Sequence, residues 1–180
     1  MTIKNATQIS TKKGDSGQSR NYSNEAFSKD DILFDTLGTI DELSSLLGLT
    51  YHHTNYEKIK TIQTTLQAIN ALIATNPTAQ EAYQRLRQIN EQDLTFIEEE
   101  EQSLLNECHI EPQFVLPGSD TSHPGAYFDL SRAVTRRAER TLVRFINVTQ
   151  REDLSMVLKY LNRLSDLFFI LARYYVTSEK

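Results

Sequence analysis

Residues 32–49 read ILFDTLGTIDELSSLLGL, and this stretch decides the fold class. Apolar side chains recur there at intervals of three and four residues: Leu33, Leu37, Ile40, Leu43 and Leu47. That spacing places them on one face of an α-helix. Asp30 or Asp31 can cap the start of this helix by accepting hydrogen bonds from its first free N–H groups. We therefore predict an amphipathic helix that buries one side.

The same spacing continues through most of the remaining chain. It predicts a second helix that is capped by Asn55 and ends near Pro77, a short helix or turn over 78–88, and three more helices. These three cover about 91–109, 126–147 and 152–177. The side chains expected in the core are Ile59, Ile62, Leu66, Ile69, Ile73, Leu94, Ile97, Leu104, Leu105, Leu161, Leu164, Phe168 and Leu171.

Strand signals are weak, because Val115 and Leu116 are too few to seed a sheet. The segment 111–125 contains three prolines and two glycines, so it is expected to be a loop that includes an exposed His123. Helices of about 20 residues with short connections predict an all-α, single-domain five-helix bundle of up-down type. A polar N-terminal segment, 1–28, precedes the bundle region, 29–180.

The composition of the 180-residue chain excludes several classes of protein. A net charge of −5 argues against a nucleic-acid or anionic-membrane surface, since both require a cationic field. No apolar run reaches the roughly 18 residues that a membrane span needs. Cys108 is the single cysteine, so no disulfide can form within the chain and a reducing cytoplasm is expected. The acidic run EEEEQ at 98–102 is interpreted as a solvated helix face.

Residues 11–19 read TKKGDSGQS and hold two of the six glycines in the chain. Consecutive N–H groups in a glycine turn can form a concave anion site, and neighbouring lysines add positive charge. The alternative is a disordered terminal segment. The string is not a P-loop, which needs four residues between its glycines and a following Lys-Ser/Thr.

Arginines are concentrated in SRAVTRRAERTLVR, residues 131–144, although the protein is acidic. Arg132, Arg136 and Arg140 share one stripe of the predicted helix, and Arg137 and Arg144 share a neighbouring stripe. Like charges at this spacing repel, so they need a partner. That partner is Glu139 at three residues from Arg136, an acid on another helix, or a polyanionic ligand. The alternatives are therefore a salt-bridged surface helix and a phosphate site.

Asn162 interrupts the apolar pattern of the last helix, within YLNRLSDLFFILAR at 160–173. It is either a group that contacts a ligand or a core amide whose hydrogen bonds are satisfied within the protein. The sequence contains no Gly-x-Ser-x-Gly nucleophile motif and no Glu-x-x-His pair of the di-iron bundles. No side chain is assigned as a metal ligand.

Taken together, these segments resemble the ATP:cob(I)alamin adenosyltransferases of the propanediol-utilisation type. Four blocks carry the resemblance in their order and spacing over most of the chain: TKKGDSGQS, FDTLGTIDELSSLLGL, FVLPG, and SRAVTRRAER followed by YLNRLSDLFFILAR. The resemblance implies a five-helix bundle that assembles as a homotrimer. It also implies transfer of the adenosyl group of ATP to the cobalt of cobalamin, with release of triphosphate and use of magnesium.

The resemblance also implies roles for individual residues. The nucleotide-binding set would comprise Thr11, Lys12, Gly14, Asp15, Gly17, Ser19, Lys29, Arg136, Arg137, Glu139, Arg140 and Asn162. Asp41 and Arg132 match a pair that bridges subunits beside the corrinoid, and Phe114 matches the aromatic residue that faces the lower side of cobalt. Together with Arg136, these three form the expected catalytic set. The N-terminal loop is expected to close over ATP.

Cobalt(I) is itself the nucleophile in this reaction, which agrees with the missing catalytic triad. An apolar ring such as that of Phe114 would ease the reduction to cobalt(I) by displacing the lower axial ligand. A cobalamin reductase or an acceptor enzyme would then be a further partner. The rival interpretation is a trimeric ATP-binding sensor or partner-binding module without corrinoid chemistry. A sensor of this kind would not need Asp41, Arg132 or Phe114.

Overall fold

The computed structural model describes residues 3–10, 12 and 14–177. These residues form six α-helices: α1 (Ile32–Thr54), α2 (Lys58–Ala74), α3 (Gln80–Gln84), α4 (Glu91–Glu107), α5 (His123–Thr149) and α6 (Ser155–Thr177). Short 3₁₀ turns occupy Ala6–Gln8 and Glu152–Leu154. Five helices are long and α3 is a single short helix, so the predicted all-α bundle is confirmed. None of the described helices has a segment long and apolar enough to span a bilayer.

The long helices pack in the spatial order α2, α1, α5, α6, α4. Side-chain contacts fix an antiparallel register between α1 and α5. Thr36 Oγ1 lies 3.4 Å from the carbonyl oxygen of Thr141 near one end, and Thr50 Oγ1 lies 3.4 Å from Ser131 Oγ nearer the other end. The start of α1 therefore lies beside the end of α5.

The predicted core is confirmed at all but one of the named positions in α2, α4 and α6. The exception is Leu105, which is exposed, while the adjacent Leu104 is buried. Adjacent residues on a helix point about 100° apart, so α4 can bury only one of these two leucines against α6. In α1, four of the five predicted side chains are buried and Leu37 packs partly buried against them.

Two helix boundaries differ from the prediction. Asp31 caps α1 as expected, with its carboxylate accepting from the N–H of Leu33 at 2.9 Å. Asn55, however, does not cap the second helix; it ends the first one. Its φ is 52°, and its N–H donates to the Tyr51 carbonyl at 2.8 Å. Asparagine tolerates the left-handed conformation that ends many helices, so the polar signal at 55 marks a stop rather than a start.

The second boundary is the start of α5, which begins at His123, three residues before the predicted position. Ser122 caps it by accepting from the N–H of Gly125 at 3.1 Å. Pro124 lies in the first turn, where the missing N–H would have no partner within the helix. The HPG string is therefore a helix start and not part of the loop. His123 is exposed, as expected, but it belongs to α5.

A two-stranded antiparallel hairpin precedes the bundle, formed by β1 (Gln18–Arg20) and β2 (Ala26–Ser28). The sequence analysis did not predict it, because strands of three residues carry almost no periodicity. The hairpin is attached to the bundle. The N–H of Tyr22 donates to the Ala74 carbonyl at 2.8 Å, and the Phe27 ring packs edge-on against Phe34 at 6.4 Å.

The acidic run on α4 is not the plain solvated face that the sequence suggested. Glu100 is buried, accepts a hydrogen bond from the Tyr56 hydroxyl and pairs with Lys58. Glu101 has one buried carboxylate oxygen without a hydrogen-bond partner among the described residues. Burial, followed by the negative charges of Asp166 and Glu98, raises the pKa of Glu101 to about 7.

The raised pKa of Glu101 predicts a pH-dependent stability. The folded chain holds a proton there that the unfolded chain releases near the ordinary value of 4.5, so the free energy of unfolding falls as pH rises from 4.5 to 7. We expect Glu101→Gln to match the wild type at pH 5 and to be more stable by about 1 kcal/mol at pH 8, a value discounted for partial exposure. Denaturant unfolding across this range measures the difference.

Glu99→Gln is the matched control, since it removes the same charge from an exposed position on the same helix. Its stability should follow the wild type at both pH values. Parallel pH profiles for the wild type and Glu101→Gln would contradict the assignment of a perturbed carboxyl to Glu101.

Gly125 permits the close approach of α5 to α6. A Cβ added there would lie 2.7 Å from the backbone carbonyl oxygen of Ala172. Gly125→Ala should therefore lower the free energy of unfolding by about 2 kcal/mol, because backbone must move to relieve the clash. Gly48→Ala is the control, since its Cβ would make an ordinary 3.5 Å contact with Gln63. Equal stability of the two variants, measured by denaturant unfolding, would contradict this close approach.

Candidate functional site

The glycine-containing segment forms a turn against Lys29. The Lys29 ammonium lies so close to Gly14 that a Cβ there would be 2.9 Å from Nζ. Gly17 has a φ of 78°, its N–H donates to the Gly14 carbonyl at 3.2 Å, and its own carbonyl accepts from the N–H of Lys29 at 2.9 Å. Exposed backbone and a lysine ammonium are thus held together where β2 leads into α1, an arrangement suited to an anion.

The other predicted residues of this segment occupy the edges of the turn. Lys12 and Asp15 are exposed, and Ser19 lies in β1 opposite Phe27. Thr11 lies outside the described residues. The backbone of Lys12 has a φ of 59°, and its carbonyl accepts from the N–H of Asp15 at 3.2 Å, which closes the first part of the turn.

The arginines of α5 divide into two kinds. Arg137 pairs with Glu42 and Arg144 lies 3.6 Å from Asp35, so both are matched by acids on α1. Arg136 and Arg140 are exposed and have no ion pair among the described residues. The salt-bridged surface helix therefore accounts for one stripe only. The other stripe keeps its positive charge available.

Glu139 does not pair with Arg136, although the spacing allowed it. Its Oε1 instead accepts from Asn162 Nδ2 on α6 at 3.1 Å. The structure therefore brings together two predicted site residues that are 23 positions apart in the sequence. Both side chains are half-buried, and Arg163 Nη1 donates to Asn162 Oδ1 at 3.1 Å. Asn162 is thus a fixed amide at the boundary between two helices.

A different group of residues lies where α5 begins and α6 ends. Phe114 is fully exposed on the loop before α5, and it lines a surface groove with Phe169 of α6. The guanidinium of Arg132 lies 5.7 Å from the Phe169 ring centre, and that of Arg173 lies 5.0 Å from it. This end of the bundle offers an exposed apolar ring beside a cation-flanked aromatic residue.

Asp129, which the sequence analysis missed, holds this end together. The carboxylate is buried, with Oδ1 accepting from Arg173 Nη2 at 2.6 Å and Oδ2 from the N–H of Gly118 at 3.1 Å. It connects the loop that carries Phe114 to α6. No sequence pattern marks Asp129, because a single acid after Phe128 looks like a solvent-facing residue.

Asp41 and Arg132 do not meet within one chain. Asp41 accepts from Asn70 Nδ2 of α2 at 2.6 Å, whereas Arg132 faces Phe169 of α6. The Glu42–Arg137 pair shows that Asp41 lies opposite Arg137 along the axis of α5. Arg132 lies five residues before Arg137, which is about 8 Å along the helix at 1.5 Å per residue. The two side chains point toward opposite neighbours, α2 and α6.

The predicted site residues therefore follow the length of α5. Lys29 and the glycine turn precede α1, and the start of α1 lies beside the end of α5. The unpaired Arg140 and Arg136 follow along α5 from that end. Phe114 and Arg132 lie toward the opposite end of α5. Within the described residues no cluster of three or more histidine, cysteine, aspartate or glutamate side chains could hold a metal ion. A metal at this surface would have to arrive with an anionic ligand that supplies most of its coordination.

Comparison with known proteins identifies the family of this chain. Residues 9–175 match the family model described as cobalamin adenosyltransferase. Corrinoid adenosyltransferase MMAB of Bos taurus is 34% identical over 179 residues, which cover 96% of this chain and 73% of that protein. A corrinoid adenosyltransferase of Citrobacter freundii is 31% identical over 92% of this chain and 93% of its own length.

Solved structures show the same fold. A variant PduO-type ATP:corrinoid adenosyltransferase from Lactobacillus reuteri, complexed with cobalamin and ATP, superimposes with a TM-score of 0.82 at 29% identity. The superposition covers 95% of this chain and 94% of that one. On the family match, which spans nearly the whole chain, and on relatives more than 30% identical, this chain belongs to the cobalamin adenosyltransferase family.

Proposed function

We propose that this protein transfers the 5′-deoxyadenosyl group of ATP to the cobalt of cob(I)alamin, giving adenosylcobalamin and triphosphate. The observation that carries the proposal is the stripe of unpaired arginines on α5, in a chain that belongs to the cobalamin adenosyltransferase family. A Lactobacillus reuteri relative of the same fold was solved with both cobalamin and ATP bound. The enzyme is thus a corrinoid adenosyltransferase.

The charge distribution suits this chemistry. Cobalt(I) attacks the 5′ carbon of ATP, the bond from that carbon to the triphosphate oxygen breaks, and its electron pair leaves with triphosphate. Lys29, Arg136 and Arg140 stabilise the charge that develops on the leaving group, together with N–H groups of the glycine turn. Residues 1–28 act as the nucleotide-binding segment and the bundle, 29–180, as its support. The turn closes over the triphosphate.

The remaining nucleotide contacts follow from the fixed groups beside the arginine stripe. Glu139 and Asn162 contact the nucleotide, while Arg137 steadies α5 through its pair with Glu42. Mg²⁺ binds mainly through substrate phosphates and one or two carboxylates, which fits a proposed nucleotide-binding set whose carboxylates are those of Asp15 and Glu139. When bound, the ion adds positive charge to the leaving triphosphate.

The corrinoid binds at the end that bears Phe114. The Phe114 ring covers the lower side of cobalt and excludes water, which eases the reduction of cobalt to cobalt(I) before the adenosyl transfer. Because Asp41 and Arg132 point away from each other within one chain, the bridge between them forms across two subunits of a homotrimer. A reductase that supplies cobalt(I) is the expected partner, in a cytoplasm where Cys108 stays a free thiol. A nucleotide sensor would need neither Phe114 nor a bridge between Asp41 and Arg132, so the enzyme explains these residues better.

The decisive assay mixes the protein anaerobically with chemically reduced cob(I)alamin, ATP and magnesium, and follows the visible spectrum. Conversion to adenosylcobalamin should depend on both protein and ATP. Arg136→Ala should lower kcat/KM about 100-fold or more, because it removes a cation from the leaving group. Arg85→Ala, a surface arginine paired with Glu81 on α3, should be unaffected. An equal rate for Arg136→Ala and wild type would contradict the assignment.

The intersubunit site can be tested by complementation. Asp41→Ala and Arg132→Ala chains should each be nearly inactive alone, but co-assembled chains should regain activity. A site built from Asp41 of the Arg132→Ala chain and Arg132 of the Asp41→Ala chain contains both native side chains. Mixed assemblies that stay inactive, or a monomeric mass of 20.7 kDa in solution, would contradict a site shared between subunits.

A further inference from the structure

A chain of hydrogen bonds runs across three helices from α5 to α4. Glu139 Oε1 accepts from Asn162 Nδ2 at 3.1 Å, and Asn162 Oδ1 accepts from Arg163 Nη1 at 3.1 Å. Arg163 Nε then donates to Glu98 Oε1 on α4 at 3.1 Å. The chain ends in the acidic run of α4, whose function the proposed reaction does not explain.

These contacts fix the orientation of the Asn162 amide. A side-chain amide can be turned over at little cost when its surroundings are symmetric, but here a carboxylate faces the NH₂ group and a guanidinium faces the oxygen. Turning the amide would set oxygen against carboxylate and N–H against guanidinium. One amide N–H and one oxygen lone pair remain for a ligand, in directions set by both neighbours.

The Arg163 guanidinium needs a second partner, outside α6, to stay beside the Asn162 amide. Asn162 and Arg163 are adjacent on α6, so their side chains leave the helix about 100° apart, and the guanidinium must bend sideways to reach the amide. The side chain is long and 40% exposed, with much rotamer freedom to lose. Asp166 and Glu101 compete for it: Asp166 lies three residues away on α6, and Arg163 lowers the pKa of Glu101 against the effect of burial. Glu98 is the acid that holds it.

We infer that Glu98 and Arg163 are positioning residues for Asn162, and that Glu98 therefore controls nucleotide affinity from α4, a helix that carries none of the nucleotide contacts proposed above. The inference rests on the proposed role of Asn162 at the ATP site. It extends the site to α4, and it gives a function to one member of the acidic run.

Substitutions at Glu98 test this inference, with ATP as the probe and the full-length chain as the protein. Glu98→Ala should raise KM and the dissociation constant for ATP about 3- to 10-fold, leave kcat nearly unchanged, and leave the KM for cob(I)alamin as in the wild type. Glu98→Gln should give a smaller change, because its amide oxygen can still accept from Arg163. Glu99→Ala, an exposed neighbour on α4, is the matched control.

The decisive comparison uses an Asn162→Ala background. If Glu98 acts through Asn162, Glu98→Ala should cause no further loss of ATP affinity there, whereas a general electrostatic or structural effect would persist in full. ATP affinity is read by ATP-dependent thermal stabilisation as well as by KM, so a chain that binds ATP without turnover still answers the question.

The outcomes separate the two proposals. Equal ATP affinities for Glu98→Ala and Glu99→Ala, with an active wild type, would overturn the positioning role and leave the proposed reaction intact. A loss that persists in the Asn162→Ala background would do the same. A wild type that neither binds ATP nor turns over would overturn both.

Discussion

The burial of one face of α5 between α1 and α6 is the constraint on which the rest of the structure depends. Phe128, Ala138 and Leu142 on this face are fully buried. The opposite face carries arginines at four-residue spacing, whose mutual repulsion costs a few tenths of a kcal/mol per pair. Burial of each large apolar side chain contributes about 1.5–3 kcal/mol. The buried face of α5 therefore stabilises the helix by more than the repulsion between its arginines costs.

This constraint also separates the arginines that pair with acids on α1 from those that have no ion pair among the described residues. The register of α1 against α5 brings Asp35 and Glu42 to Arg144 and Arg137, and no acid of the described residues forms an ion pair with Arg136 or Arg140. A family of enzymes that must hold a highly charged leaving group needs this separation, because a fully paired arginine has little affinity left for phosphate. The helix packing thus decides which cations remain available.

The sequence predicts the bundle well, because long helices repeat their apolar spacing many times. Its failures are local. Asn55 looked like a cap for the following helix, since the same polar side chain suits both ends and only the backbone conformation distinguishes them. The hairpin at 18–28 escaped detection because its strands are three residues long. The prediction of a solvated face for the acidic run was wrong at Glu100 for another reason. Burial of Glu100 depends on Tyr56 and Lys58, which are more than 40 positions away in the sequence.

Prediction of the site depended on the resemblance rather than on spacing. The sequence alone left the arginines open between surface pairs and an anion site. The structure shows surface pairs for Arg137 and Arg144 and no ion pair, among the described residues, for Arg136 or Arg140. The contact between Glu139 and Asn162 could not be read from their positions, because it needs the pairing of α5 with α6. The roles of Asp129 and Arg163 could not be predicted because their partners, Arg173 and Glu98, are 44 and 65 positions away in the sequence.

The Asp129 clamp has a mechanical consequence. Its buried carboxylate pins the loop at Gly118 to Arg173, while the Phe114 ring four residues earlier projects into solvent. The ring thus lies on a loop that is held on both sides, by Ile110 packed against the core and by Gly118 bonded to Asp129. Displacement of the ring by a bulky planar ligand would therefore bend only this short segment and would leave the helices undisturbed. A ligand can therefore move the Phe114 ring with little cost in folding free energy.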